Sequence, residues 1–409
     1  MSQKESKTET SVIINGKVLL WIRYETPCDV KDLLGWLDAQ VLFPKVYFET
    51  QEGDVIAGAG SLMESHALPT FGSKISPEFF GGFDFMTRRS NHWKEFPSTC
   101  FFLPWVEVRK RGDQTFLCLN HLGRKKNPQV RPERPTRFKQ CDSLRSDSPS
   151  FVEWDAATRS IVSSIQKGAI NKVVLARKTT LKTGETLSPY ALLKALKGAN
   201  RFAFQFREQQ TLIGNSPETL YRRVGSNLES FAVAGTRRRG VSADEEKRLE
   251  LELMRSKKER HEHEMVREMI AATLRPLVLK LKMDPPMILK TERVQHLFSS
   301  LSATLSPDCS DLDLLQALHP TAALGGMPRK ASLEMIKAYE PFDRGWYGAP
   351  VGLISSERAH FLVAIRSALV ENQEIALFSG AGIVEGSNSK GEWEELDHKI
   401  EEFLNLICR

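Results

Sequence analysis

The chain has 409 residues, 41% hydrophobic and 26% charged, with no internal repeat or low-complexity tract, so it is globular and long enough for one large domain or two ordinary ones. No apolar run approaches the ~18 residues of a membrane-spanning helix, the polar opening MSQKESKTETS lacks the apolar core of a secretion signal, and the six cysteines include no Cys-x-x-Cys pair; a cytoplasmic protein with reduced thiols and no membrane partner is expected. The net charge of +6 is mild and gathers in GRKKNPQVRPERPTRFK, residues 123–139, where repeated prolines and the lack of a recognition motif point to an exposed connection and not to nucleic acid; a small anionic substrate also suits this balance.

In chain order, residues 17–24, 45–49, 99–108 and 114–119 read as strands. The proline-rich stretch 128–150 separates them from the remainder of the chain, giving an N-terminal part of the fold over 1–127, a connection over 128–150 and a main region over 151–409. A helix carries Trp154, Ile161, Ile165 and Ile170 on its apolar face. KVVLARKTTL, RFAFQF, TLYRRV and LESFAVAG are further strands, rich in β-branched and aromatic residues. Residues 244–281 show one long helical pattern, apolar at Leu249, Leu253, Met265, Met269 and Leu277 and interrupted around 256–264. Segment 288–298 reads as extended, 311–318 and 330–339 as helices, HFLVAIRSALVE and EIALFSGAGIV as paired strands, and 391–406 as a last helix. Strands and helices interleave without the regular alternation of a doubly wound fold. The fold class is α+β, a large mixed α/β single domain built on antiparallel sheets with flanking helices.

Several polar residues stand where periodicity predicts core. SKKERHEHEMV, residues 256–266, holds two histidines, but His261 and His263 are two apart and diverge by about 200° on a helix, which defeats a helical zinc motif. Glu259 and Glu262, three apart, share a face and suit a hard cation such as Mg²⁺. Glu392 and Glu395 repeat that spacing on the last helix. Lys172 opens an apolar strand, Glu218 follows a Ser-Pro turn, Gly235 and Thr236 end a strand, Arg366 lies inside a hydrophobic strand, and Gly380 and Gly382 break another. Each has a plain structural reading too: a strand-end lysine in water, a turn carboxylate, a bulge glycine, a solvated helix face.

Together these segments are more specific. NKVVLAR, SPETL, AGTRRRG, ERHEHE, LHPTAALGG, EPFDRGWYGAPVG, AIRSALV, SGAGIVEGS and EWEELDHKI, in this order, resemble the chorismate-utilising enzymes, the family of isochorismate, salicylate, anthranilate and aminodeoxychorismate synthases. The resemblance is closest to the isochorismate synthases. It is strongest over about 154–405 and continues weakly into FFGGFDF and FPSTCFFLPW. Ala322 and Arg238 stand where the family usually has proline, which bears on loop stiffness more than on chemistry.

The resemblance implies the chorismate-utilising fold and a reaction in which water adds at C2 of chorismate and the C4 hydroxyl leaves. It makes Lys172 the base that activates water and Glu218 the acid at the leaving oxygen. It gives Glu262, supported by Glu259, and Glu395, supported by Glu392, to Mg²⁺ and the ring carboxylate. Arg366, Gly380 and Gly382 would receive the second carboxylate, Gly235 and Thr236 the ring carboxylate, and His296 with Ala323 and Leu324 would shape the pocket around the ring. The KKERHEH helix differs from that of the ammonia-using members, so no glutaminase partner is expected, and the chain would act as a monomer or weak homodimer. FDRGWYGAPVG looks most like the isochorismate synthases of menaquinone synthesis. A salicylate synthase, which expels pyruvate from isochorismate in the same pocket, and a non-catalytic anion-binding relative are the alternatives.

Overall fold

The computed structural model describes residues 5–50, 53–88, 90, 92–123, 127–290 and 294–409. Positions 124–126 of the basic stretch and 291–293 of the segment read as extended lie outside the described residues. The chain forms two compact units, one of residues 1–217, 320–356 and 362–409, the other of 218–319 and 357–361.

The first unit is built on one run of antiparallel strands. Ser143–Ser148 pairs with Lys172–Thr183, which pairs with Glu374–Ile383, then Ser367–Glu371, Gln210–Asn215, Arg201–Gln205 and Lys45–Glu49. The run continues through Val55–Ser65, Thr99–Arg111, Gln114–Leu122, Lys17–Pro27 and Ser6–Ile14. Its central strands are apolar at almost every position because both faces are covered. Alternation then sorts the side chains. Tyr47, Ala203, Ile213, Ala368, Val370, Ile375 and Leu377 join the core formed with helices Leu33–Ala39, Pro189–Ala195 and Ser389–Ile407. Their neighbours Val46, Phe48, Phe202, Phe204, Leu212, Leu369, Ala376 and Phe378 join an aromatic core around Trp93, Phe96 and Trp346. Each large apolar side chain so buried contributes about 1.5–3 kcal/mol.

The second unit is a smaller antiparallel sheet. Asn227–Arg238 pairs with Thr219–Val224 on one side and Val294–Leu305 on the other. Val278–Met283 and Met287–Lys290 follow each other along the far edge of Val294–Leu305. Burial along Val294–Leu305 alternates nearly strictly, as in a sheet with one covered face. Helix Lys257–Leu274 covers it, with Ala271 packed on Ala232 and Leu301.

Three local expectations are corrected. The long helical pattern is two helices, Ala243–Arg255 and Lys257–Leu274. Ser256 stands between them with extended backbone, closing the first and accepting the Glu259 N–H of the second at 3.3 Å. The pattern also ends earlier: Pro276 lies in a short 3₁₀ turn, Arg275–Leu277, and the chain leaves it as a strand. HFLVAIRSALVE is not one strand, because the chain breaks between Arg358–Val363 and Ser367–Glu371, with Arg366 at φ +50°. Gly380 and Gly382 do not break their strand. They lie within Glu374–Ile383, opposite Ala176 and Val174.

His360 is buried in the strand Arg358–Val363, and burial, with the nearby Arg222 and Arg358, pushes its pKa down to about 3. The unfolded chain takes up this proton below about pH 6.5, whereas the folded chain refuses it until about pH 3, so the imidazole costs stability progressively as pH falls through that window. Between pH 7 and pH 5, wild-type protein should lose about 2 kcal/mol more than a His360→Gln variant, at 1.36 kcal/mol per pH unit below the unfolded pKa. Urea denaturation at the two pH values checks this; parallel losses would show that His360 does not titrate as stated.

Candidate active site

In the first unit the expected residues cluster where Lys172–Thr183 meets Glu374–Ile383. The backbone at Lys172 is held from several sides. Asn171 N–H bonds to Met327 at 2.8 Å, Val174 N–H to Gly325 at 3.1 Å, and the Ser332 hydroxyl donates to the Lys172 carbonyl at 2.8 Å. Gly326, at φ +123°, permits this approach, since a Cβ there would sit 2.2 Å from the Lys172 oxygen. The half-buried Lys172 side chain then runs over Gly382: a methyl on Gly382 would come within 2.8 Å of Cε and 3.3 Å of Nζ. Gly382 therefore makes room for the amine. Gly380 faces the Tyr347 hydroxyl, which a Cβ would meet at 3.2 Å. Tyr347 stacks on Phe378, and burial pushes its phenol up to about 12 against the pull of Arg344.

The helix Ser389–Ile407 brings the second carboxylate pair. Glu392 is half-buried and accepts from the Ser387 hydroxyl at 2.7 Å. Burial, with a smaller push from Glu395, holds its carboxyl above the ordinary range, against the Ser387 hydroxyl, Lys399 and Lys172. Glu395 is exposed and pairs with Lys399 at 2.6 Å, and the same ammonium donates to the Gly380 carbonyl at 2.7 Å. Arg366 is exposed and donates to the Lys399 carbonyl at 3.0 Å. Its left-handed backbone, at φ +50°, lies in the break between strands Arg358–Val363 and Ser367–Glu371.

Ala323 and Leu324 lie in a turn, Ala323 exposed and Leu324 buried. That turn is fixed by Arg344, which is buried and donates to the Leu324 carbonyl at 2.8 Å, the Val174 carbonyl at 2.7 Å and the Glu340 carboxylate at 2.5 Å. Glu340 in turn accepts the Ala176 N–H at 2.7 Å, and the guanidinium lies 4.3 Å from the Phe85 ring.

In the second unit, Asn227–Arg238 carries a bulge between Ala234 and Thr236, with Gly235 at φ +76°. A Cβ on Gly235 would meet Glu259 at 3.2 Å, so the bulge lies against the first turn of helix Lys257–Leu274. Thr236 Oγ1 and His296 Nδ1 are 2.9 Å apart across the strands. Glu259 is half-buried, Glu262 exposed, and Glu218 half-buried just before strand Thr219–Val224. His263 turns inward to Ser299 at 2.9 Å while His261 is exposed, so the two imidazoles share no face. Among the described residues no group of three histidine, cysteine, aspartate or glutamate side chains gathers as a preformed metal cage. The donors present are carboxylate oxygens in pairs, and Glu395 already holds a positive charge, so the set fits a hard cation and not zinc. An open groove of about 700 Å³ lined by Arg237, Lys247, Arg248 and Arg255 adjoins this half but contains none of the expected residues.

Sequence reasoning missed Gly326, Tyr347 and Lys399. Lys399 had a signal, being four residues after Glu395 on the same helix; Tyr347 and Gly326 act through long-range contacts that no local pattern carries.

Removing the cation from a buried pair strands the anion. Arg344→Met should cost about 3–5 kcal/mol by leaving Glu340 uncompensated, and adding Glu340→Gln should recover most of it. Urea denaturation of both variants decides this; equal losses would mean that the arginine acts by packing alone.

Residues 65–408 match the family model described as "Chorismate binding enzyme". The chain is 32% identical to isochorismate synthase MenF of Bacillus subtilis over 360 residues, covering 82% of this chain and 75% of that one. It is 35% identical to the salicylate biosynthesis isochorismate synthase of Pseudomonas aeruginosa, covering 80% and 73%. The solved structure of MenF, the menaquinone-specific isochorismate synthase from Escherichia coli, superposes with a TM-score of 0.84 at 26% identity, over 98% of this chain and 96% of that one.

Proposed function

Since the chain belongs to the chorismate-binding enzymes, we propose that it is an isochorismate synthase, adding water at C2 of chorismate and releasing the C4 hydroxyl, for menaquinone synthesis. The observation that carries the reading is the seating of Lys172. Its backbone is held by bonds to Met327, Gly325 and Ser332, and its amine runs over Gly382, where a Cβ would crowd it. An amine so held can take a proton from water as the C–O bond forms. Glu218 is the acid in this scheme and must keep its proton until the leaving oxygen needs it. Gly235 and Thr236 would face the ring carboxylate; Arg366, Gly380 and Gly382 would face the other. His296, Ala323 and Leu324 would bound the ring. Glu259, Glu262, Glu392 and Glu395 would hold Mg²⁺, which when bound supplies positive charge to these carboxylates and to the dianionic substrate. Water is the only co-substrate in this scheme, so no glutaminase is required. No helix among the described residues is long and apolar enough to cross a membrane.

Incubation with chorismate and Mg²⁺, followed by chromatography, should give isochorismate. Salicylate with pyruvate would replace the proposal with a salicylate synthase, and unchanged chorismate would favour a non-catalytic relative. Lys172→Ala should lower kcat by about 10²–10⁴-fold with chorismate binding largely kept. Lys172→Arg should be nearly as slow, because a guanidinium stays protonated; retention of more than about a tenth of the rate would place the base elsewhere.

The metal assignment separates Glu262 from Glu264 on helix Lys257–Leu274. Glu262→Gln and Glu395→Gln should each strongly weaken Mg²⁺-dependent turnover. Glu264→Gln, whose carboxylate pairs with Arg267 at 2.6 Å, should not. Titration of activity with Mg²⁺ after EDTA treatment reads the difference, and a like response from all three would remove the assignment.

A further inference from the structure

Arg177 is fully buried, yet the scheme above gives it no task. It lies five residues beyond Lys172 on the same strand, and therefore on the opposite face. There it meets the helix that carries Glu392 and Glu395. Its Nη2 donates to Asp397 Oδ1 at 2.7 Å, and its guanidinium carbon lies 4.3 Å from the ring of Trp393. Trp393 and Asp397 are i and i+4, one face of the helix, whereas Glu392, Glu395 and Lys399 lie roughly 140° around it. The neighbouring strand completes the arrangement. Arg145 donates to Asp397 at 2.5 Å, and Asp147 stands 3.5 Å from Arg177 Nε while accepting from Thr179 at 2.5 Å.

As mere adhesive this is a poor choice. Nε and Nη1 of Arg177 are buried without a hydrogen-bond acceptor. An apolar side chain of similar volume commonly holds such a junction as well or better. A guanidinium adds direction: its planar fork meets one carboxylate at one angle, and its flat face fits one indole. Direction matters here because the other face of the helix presents carboxylates. A rotation of about 20° moves a carboxylate roughly 5–6 Å from the axis by about 2 Å, enough to spoil a metal site.

We propose that Arg177 and Asp397 are positioning residues for Glu392 and Glu395, fixing the rotation at which helix Ser389–Ile407 presents them to a divalent cation. The inference rests on the reading of those glutamates as metal ligands. Its test uses the full chain and Mn²⁺ binding followed by electron paramagnetic resonance, with Mg²⁺ as competitor, beside thermal unfolding. Arg177→Met should fold with a Tm near or above that of wild type, yet bind the cation about tenfold or more weakly, the usual range for residues that orient ligands. Arg177→Lys should recover only part, since it keeps the charge without the fork. Asp397→Asn, at a partly exposed position, should weaken binding in the same sense and decides the matter if Arg177→Met fails to fold. Wild-type cation affinity in the folded Arg177→Met variant, or in Asp397→Asn in its place, would overturn the inference while leaving the metal reading intact. Absence of cation binding by the wild-type protein would overturn both.

Discussion

The ladder between Lys172–Thr183 and Glu374–Ile383 is the contact on which the larger unit depends. It runs for ten residue pairs without a bulge, from Glu374 opposite Lys182 to Ile383 opposite Val173. Unbroken register fixes which side chain faces which surface, because a slip of one residue would send every side chain to the other face. Here register sets the Lys172 amine over Gly382 and turns Arg177 toward the last helix. A slip would leave Lys172 against a side chain and Arg177 on the wrong side. The glycines are what let strands come this close around a long polar side chain without breaking the pairing.

The two units solve the covering of a sheet differently, and the difference reaches the chemistry. In the larger unit both faces are buried, so charged groups inside it must be paired or fully bonded. Arg344 and Glu340 meet that requirement with bonds to Leu324, Val174 and Ala176, which ties the 321–324 turn to the Lys172 strand. In the smaller unit one face is covered, and polar residues emerge at the bulge and on the first turns of helix Lys257–Leu274. Polar groups at these two places remain near water, as the exposure of Glu262 and Thr236 shows.

Much of this is legible in the sequence, for identifiable reasons. Thr219–Val224 and the helix Asp311–Leu318 fall where local pattern puts them, since short apolar runs between turn residues and a strong serine cap leave little choice. The last helix is legible from its period. Strands Val55–Ser65 and Phe79–Phe83 are not, because glycine reads locally as a turn, whereas Gly58 and Gly81 serve close packing; a Cβ on Gly81 would lie 1.9 Å from the Cys100 carbonyl oxygen. The same effect disguises Gly380 and Gly382. Arg366 misleads in the opposite sense, since apolar neighbours on both sides suggest a strand that its positive φ interrupts. For the candidate site, residue types and spacing name the groups, but Tyr347 and Arg177 depend on partners distant in the chain.

The order of the strands along the chain has a consequence for how the protein is made. The Lys172 strand leaves the ribosome long before its partner, which begins only at Glu374. At about 5–20 residues per second that interval is on the order of ten to forty seconds. Throughout it, one edge of an apolar strand is unpaired and open to other chains. The smaller unit, residues 218–319 and 357–361, is synthesised wholly within the gap. Nascent chains should therefore hold that unit in a largely formed state while the larger sheet still waits for its last strands. The exposed edge of Lys172–Thr183 then becomes the segment most in need of a chaperone.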